Sequence, residues 1–176
     1  MFHDVVTERG KGGVYFDSTV DEFKEILDYF DEQGAHYLSL KDLHEHLVTG
    51  KEVPERSVVL TFDDNYQGFY DNAWPILKSK SIPSGMFVHT DYVGNKSGSH
   101  PKMSWDQLKE LDKSGLVEIG GHTDSNSGCA IEQHKGQTCG QQFGFLKAAI
   151  VVGHKIHCAH VHFVQQKLGN RGQAGF

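Results

Sequence analysis

Residues Ser57 to Phe62 read Ser-Val-Val-Leu-Thr-Phe, a short β-branched run without polar alternation. A strand that is apolar on both faces must be covered on both faces, which is the situation of a strand inside a parallel sheet flanked by helices. Two similar runs follow at Ser84 to His89 (SGMFVH) and Val117 to Gly120 (VEIG). Strands recurring between helical segments predict βαβ units and an α/β fold. Three strands do not by themselves separate an open sheet from a barrel.

The helical segments are well punctuated. Thr19 and Glu22 form a T-x-x-E capping box ahead of Phe23, Ile26, Leu27 and Phe30, and Gly34 is placed to stop that helix. Ser39 can open a second helix carrying Leu40, Leu43 and Leu47 on one face, ending near Gly50. A third is expected from about Gln67 to Lys80, bent or restarted at Pro75. Ser104 and Gln107 make a further capping box ahead of Trp105, Leu108 and Leu111, with Gly115 as the stop.

The 176 residues suffice for one domain with a sizeable core. No apolar run approaches the roughly 18 residues that a membrane span needs, and Met1 to Gly13 lacks the apolar core of a signal peptide. The net charge of -6 argues against a nucleic-acid partner and leaves neutral polymers and metal cations. The charge is uneven. After Asn126 there are five Lys or Arg and one acid, against twelve bases and twenty-two acids before it. All three cysteines, Cys129, Cys139 and Cys158, fall in this tail, an odd number with no disulfide framework. Helix caps are scarce there, and only Phe143 to Val152 looks like a regular element.

Asp63 and Asp64 directly follow the first apolar run, so they are expected at the carboxyl end of a strand, where α/β folds place their sites. Adjacent residues there point in different directions, so one carboxylate can bind a cation while the other moves a proton. The plainer alternative is that they cap the next helix. His122 follows the VEIGG strand and should reach the same edge. Two carboxylates and an imidazole make a mixed O/N donor set suited to zinc or a similar divalent ion. His44 and His46 sit among charges on a helix and read as solvated, while His36, His89 and His100 show no partner in the sequence.

The string Thr61 to Tyr66 (TFDDNY) resembles the T-F-D-D-G-Y signature of the NodB-type polysaccharide deacetylases, carbohydrate esterase family 4. Gly120 to Ser125 (GGHTDS) is similar to the start of their second motif, H-[ST] with another histidine four or five residues later. Met1 to Val5, Phe16 to Leu60 and the segment MSWDQLKELDKSGLVEIGGHT resemble the subgroup acting on poly-N-acetylglucosamine. The resemblance covers about residues 1–126. It implies a distorted (β/α) barrel and a metal-dependent hydrolase, with zinc as the expected divalent metal, that removes N-acetyl groups from a GlcNAc-containing bacterial polysaccharide. It implies Asp63 as the general base for the attacking water, Asp64 and His122 as metal ligands, and a place for His3 near the site. An extracytoplasmic or cell-surface setting goes with that substrate.

This sequence departs from the family pattern in two places and then leaves it. Position 65 is Asn rather than Gly, and Asn tolerates positive φ. The second histidine should fall at Asn126 or Ser127, and neither is one. Beyond Asn126 the family's later motifs, with the general acid and the acetyl pocket, are absent. The chain therefore divides into 1–126, the first part of a deacetylase domain, and 127–176, an unmatched tail read in a shifted frame or replaced. Metal affinity is expected to be weak, with the site either empty or completed by Asn126, by water or by a tail histidine; Cys158, His160 and His162 would share a face of a strand. The incomplete barrel edges leave room for self-association. The competing reading is an inactive relative that binds glycan or serves a structural purpose. An aspartate-nucleophile phosphatase would need D-x-D, which Asp63-Asp64-Asn65 does not supply.

Overall fold

The computed structural model describes residues 1–10, 17–123, 149–152 and 155–158. Strand β1 (Val5–Val6) pairs in parallel with β2 (Ser18–Thr19), and helix α1 (Val20–Glu32) follows at once. The Thr19–Glu22 capping box closes in both directions, so the first exposed amides of α1 have acceptors. After β3 (His36–Tyr37), helix α2 (Leu40–Thr49) starts at Ser39 and ends at Gly50, whose φ of 74° is easily adopted only by glycine.

The run at 57–63 forms two strands rather than one. β4 (Ser57–Val58) pairs with β3, and β5 (Leu60–Asp63) pairs in parallel with β6 (Ser84–His89). β6 in turn pairs in parallel with β7 (Val117–Thr123), which runs three residues beyond the stretch expected to end at Gly120. The segment from Gln67 to Lys80 also differs from a single helix. It opens as a π-helical turn, Phe69–Ala73, and becomes α3 (Trp74–Lys80) with Pro75 in its first turn. The π-helical turn precedes the proline directly, and the fixed φ of proline suits the first turn of α3. Helix α4 (Trp105–Lys113) starts on the expected Ser104–Gln107 box.

The expectation of strands buried on both faces holds. Leu60, Phe62, Met86 and Val88 enter the larger core with Phe2, Phe23, Leu27, Phe69, Leu77 and Leu111. Val59 lies in a second cluster with Leu38, Leu40 and Leu43, against which Phe87 packs. Gly85 is required on that side, since a Cβ there would stand 2.4 Å from Leu40 Cδ1. Helices thus cover both sides of an α/β sheet. Among the described residues the strands form sheets of two, four and three members, and no closed barrel is traced. An isolated bridge from Phe2 to Phe62 ties the amino-terminal strand to β5. In the tail, β8 (Ala149–Val152) and β9 (Lys155–Cys158) form an antiparallel pair, with β8 on β4. β8 lies within the segment expected to be element-like. His160, His162, Asn126 and Ser127 lie outside the described residues.

Candidate active site at the carboxyl ends of three parallel strands

β5, β6 and β7 end side by side, and each delivers a polar residue to the same edge: Asp63 and Asp64 after β5, His89 at the end of β6, and His122 near the end of β7. The chain turns sharply after Asp63. Asp64 and Asn65 both take positive φ, 70° and 42°. Such a conformation is uncommon outside glycine and is held here by cross-links from neighbouring segments. Asp64 N–H donates to Phe87 O at 2.8 Å, Met103 N–H donates to Asn65 O at 2.9 Å, and Lys102 Nζ donates to Asp64 O at 2.8 Å. Asn65 is fully buried, and its Oδ1 accepts from the His89 backbone N–H at 2.9 Å.

Neither aspartate caps the following helix, because the π-helical turn begins at Gly68 without a side-chain cap. Both instead face histidines. His122 Nε2 lies 3.5 Å from Asp63 Oδ2 and 4.0 Å from Asp64 Oδ1. His89 Nδ1 lies 3.2 Å from Asp64 Oδ1, and the His89 and His122 rings meet edge to face with centroids 4.8 Å apart. His89, which shows no partner in the sequence, is therefore part of this cluster. Its position at the end of an apolar strand was the available signal, the same one that marked His122. His100, the other histidine without an evident partner, pairs elsewhere, with Asp4 Oδ2 at 3.0 Å.

Burial pushes the His89 imidazole below its ordinary value; Asp64 opposes this, and His122 and Lys102 add to the lowering. His3 behaves alike. Burial lowers it most, against the pull of Asp63 and Asp64. That coupling puts His3 within electrostatic reach of the cluster, next to the Phe2–Phe62 bridge. Neutral imidazoles keep a lone pair for a cation.

The donor set fits a divalent metal. Asp64, His89 and His122 each offer one ligand atom, all within 4.8 Å of one another. Asp64 Oδ1 and His89 Nε2 are buried without a hydrogen-bond partner among the described residues. Carboxylate oxygen with imidazole nitrogen is a zinc-type set, also suited to other borderline cations.

Comparison with known proteins gives a consistent picture. The family model for polysaccharide deacetylase matches residues 50–142. A poly-beta-1,6-N-acetyl-D-glucosamine N-deacetylase of Staphylococcus epidermidis is 36% identical over 106 residues, 60% of this chain and 36% of the relative. The protein of the same description from Staphylococcus aureus is 37% identical over 103 residues, 58% of this chain and 35% of the relative. Among solved structures, IcaB from Ammonifex degensii superposes with a TM-score of 0.63 at 31% identity, covering 69% of this chain and 50% of that one. A de-N-acetylase from Aggregatibacter actinomycetemcomitans gives 0.61 at 25% identity, covering 70% and 53%. The chain thus spans little more than a third of the length of the curated relatives it matches.

Proposed function

Because the chain belongs to the polysaccharide deacetylase family, we propose that it is a metal-dependent N-deacetylase acting on a GlcNAc-containing polysaccharide. The observation that carries this reading is the convergence of Asp63, Asp64 and His122 at one sheet edge. Asp64 and His122 would hold the cation, zinc or a similar ion. When bound, a divalent cation supplies Lewis-acid activation of the acetyl carbonyl and of water. Asp63, buried beside His122, takes the proton of the attacking water as general base. The amide C–N bond then breaks as the proton taken up by Asp63 passes to the sugar nitrogen, leaving an amine on the sugar and free acetate. His3 borders the site and serves to orient groups there.

The substrate and fold readings go together. Parallel strands β5, β6 and β7, joined in succession through α3 and α4, are what a segment of the family's distorted (β/α) barrel would supply. The names of the relatives point to poly-N-acetylglucosamine, a polymer found outside the cell, so we place the site of action there. No helix among the described residues is long and apolar enough to cross a membrane. Residues 1–126 carry the site in this reading. The family model runs on to residue 142, but we read 127–176 as a frame-shifted or replaced tail without the later family motifs, so turnover should be slow.

The test is acetate release from N-acetylglucosamine oligomers with added zinc or cobalt. Slow release that depends on metal and falls by about 10²–10⁴-fold in Asp63→Asn is expected. Oligomer binding without any metal-dependent release would instead establish the inactive, glycan-binding relative.

A further inference from the structure

We infer that His89 supplies the third protein ligand of the metal site, so that this chain binds its cation through Asp64, His89 and His122. The inference rests on the metal-dependent reading above and concerns where the missing imidazole comes from. The sequence has no histidine at 126 or 127, which would leave Asp64 and His122 as a two-ligand site. Zinc sites take three or four protein ligands.

The geometry at His89 is that of a ligand. A tetrahedral ion with bonds of about 2.05 Å separates its ligand atoms by about 3.3 Å. Asp64 Oδ1 and His89 Nδ1 stand 3.2 Å apart. At that separation a hydrogen bond would be expected, yet Asp64 Oδ1 has no hydrogen-bond partner among the described residues. The pair is at ion-pair distance and also at ligand–ligand spacing, so the buried oxygen and the imidazole nitrogen can share one cation. His122 Nε2 completes the set at 4.0 Å from the same oxygen. It is the most exposed of the three side chains.

The support behind His89 points the same way. The His89 backbone N–H is held by Asn65 Oδ1 at 2.9 Å, from a side chain with no exposed surface. Glycine, the usual family residue at position 65, could not make this bond. The two departures read from the sequence, Asn at 65 and the missing histidine after 122, therefore meet at one residue. Asn65 fixes the end of β6, and the end of β6 brings an imidazole to the cation. Asn65 is thus a positioning residue, acting through His89 rather than on substrate.

The test is direct metal binding to the full chain, with cobalt(II) as probe: affinity by calorimetry, and coordination by the visible absorption of the bound ion. Wild type should bind one cobalt with the intense absorption of a four-coordinate site. His89→Gln and His89→Ala should each bind at least about a hundredfold more weakly and lose that intensity. Asp64→Asn and His122→Ala should do the same. If Asp64→Asn and His122→Ala lose the ion while both His89 variants bind like wild type, the inference is wrong and the metal-dependent reading stands. If wild type binds no cobalt or zinc, both fail. Circular dichroism confirms that each variant is folded. Should the His89 variants not fold, zinc titration of wild type followed by imidazole nitrogen resonances decides, and a His89 Nδ1 resonance that does not move overturns the assignment.

Discussion

Lys102 shows how much of the site depends on a residue outside the signature motif. Its side chain passes 3.3 Å from the centroid of the Tyr66 ring and donates to Asp64 O at 2.8 Å. It thereby satisfies the carbonyl of a positive-φ residue in the turn. Lys102→Met should cost about 1–3 kcal/mol, the combined scale of a charge-assisted hydrogen bond and a cation–π contact, in urea unfolding. It should also weaken metal binding, because Asp64 loses its backbone anchor. Gly68 is a second such point. A Cβ there would stand 2.1 Å from Asp4 Oδ1 and 2.4 Å from Val5 O. The carbonyl is backbone and cannot swing aside, so Gly68→Ala should destabilise by about 1–3 kcal/mol, read as a lower urea midpoint.

Elements contribute through their ends. α1 is held by a reciprocal Thr19–Glu22 box, and Arg9 adds a bidentate pair to Glu22 at 2.8 and 2.6 Å. Thr19→Ala should lower stability by about 1 kcal/mol in thermal unfolding, the usual worth of an N-cap hydroxyl. β3 is tied back to α1 by the Tyr37 hydroxyl, which donates to Leu27 O at 3.2 Å and Asp31 Oδ1 at 3.0 Å. Burial, reinforced by Asp31, pushes the Tyr37 phenol well above its ordinary value. The folded state therefore keeps this proton at pH values where the unfolded chain has lost it. The stabilisation is fully present below about pH 10 and is lost as pH rises above it. Tyr37→Phe should flatten that alkaline decline in a series of melting curves.

For the whole molecule, the proposed metal site would also be a clamp, because it would join the ends of three strands from separate parts of the chain. A ligand that binds only the folded state stabilises it by about 2.7 kcal/mol at a hundredfold excess over Kd. Zinc should therefore raise the melting temperature, a chelator should reverse this, and Asp64→Asn should abolish the shift. Among the described residues β7 pairs only with β6, and an edge left unpaired would favour strand addition. Sedimentation over a range of concentrations should show the association that such an edge favours.

Local sequence determined the parts of this protein that local physics governs. The three capping boxes at Thr19, Ser39 and Ser104 were readable or partly readable because an N-cap and its N3 partner are three residues apart. β6 and the two-sided burial of its neighbours were readable because a continuous apolar run has few other uses. Asp63, Asp64 and His122 could be placed on one edge because each follows such a run. The sequence did not reveal that 57–63 divides at Val59, since the division depends on which strands lie alongside: β3 against Ser57 and Val58, β6 against Leu60 to Asp63. Nor did it reveal the π-helical turn, whose start at Phe69 is set by the buried face that Phe69 and Ala73 present to the core. His89 is the sharpest case. Twenty-five residues separate it from Asp64 and thirty-three from His122. No local pattern marks an imidazole as facing a carboxylate that far away along the chain. Only the parallel pairing of β5, β6 and β7 decides it, because neighbouring parallel strands end at one edge and bring whatever lies there to one place.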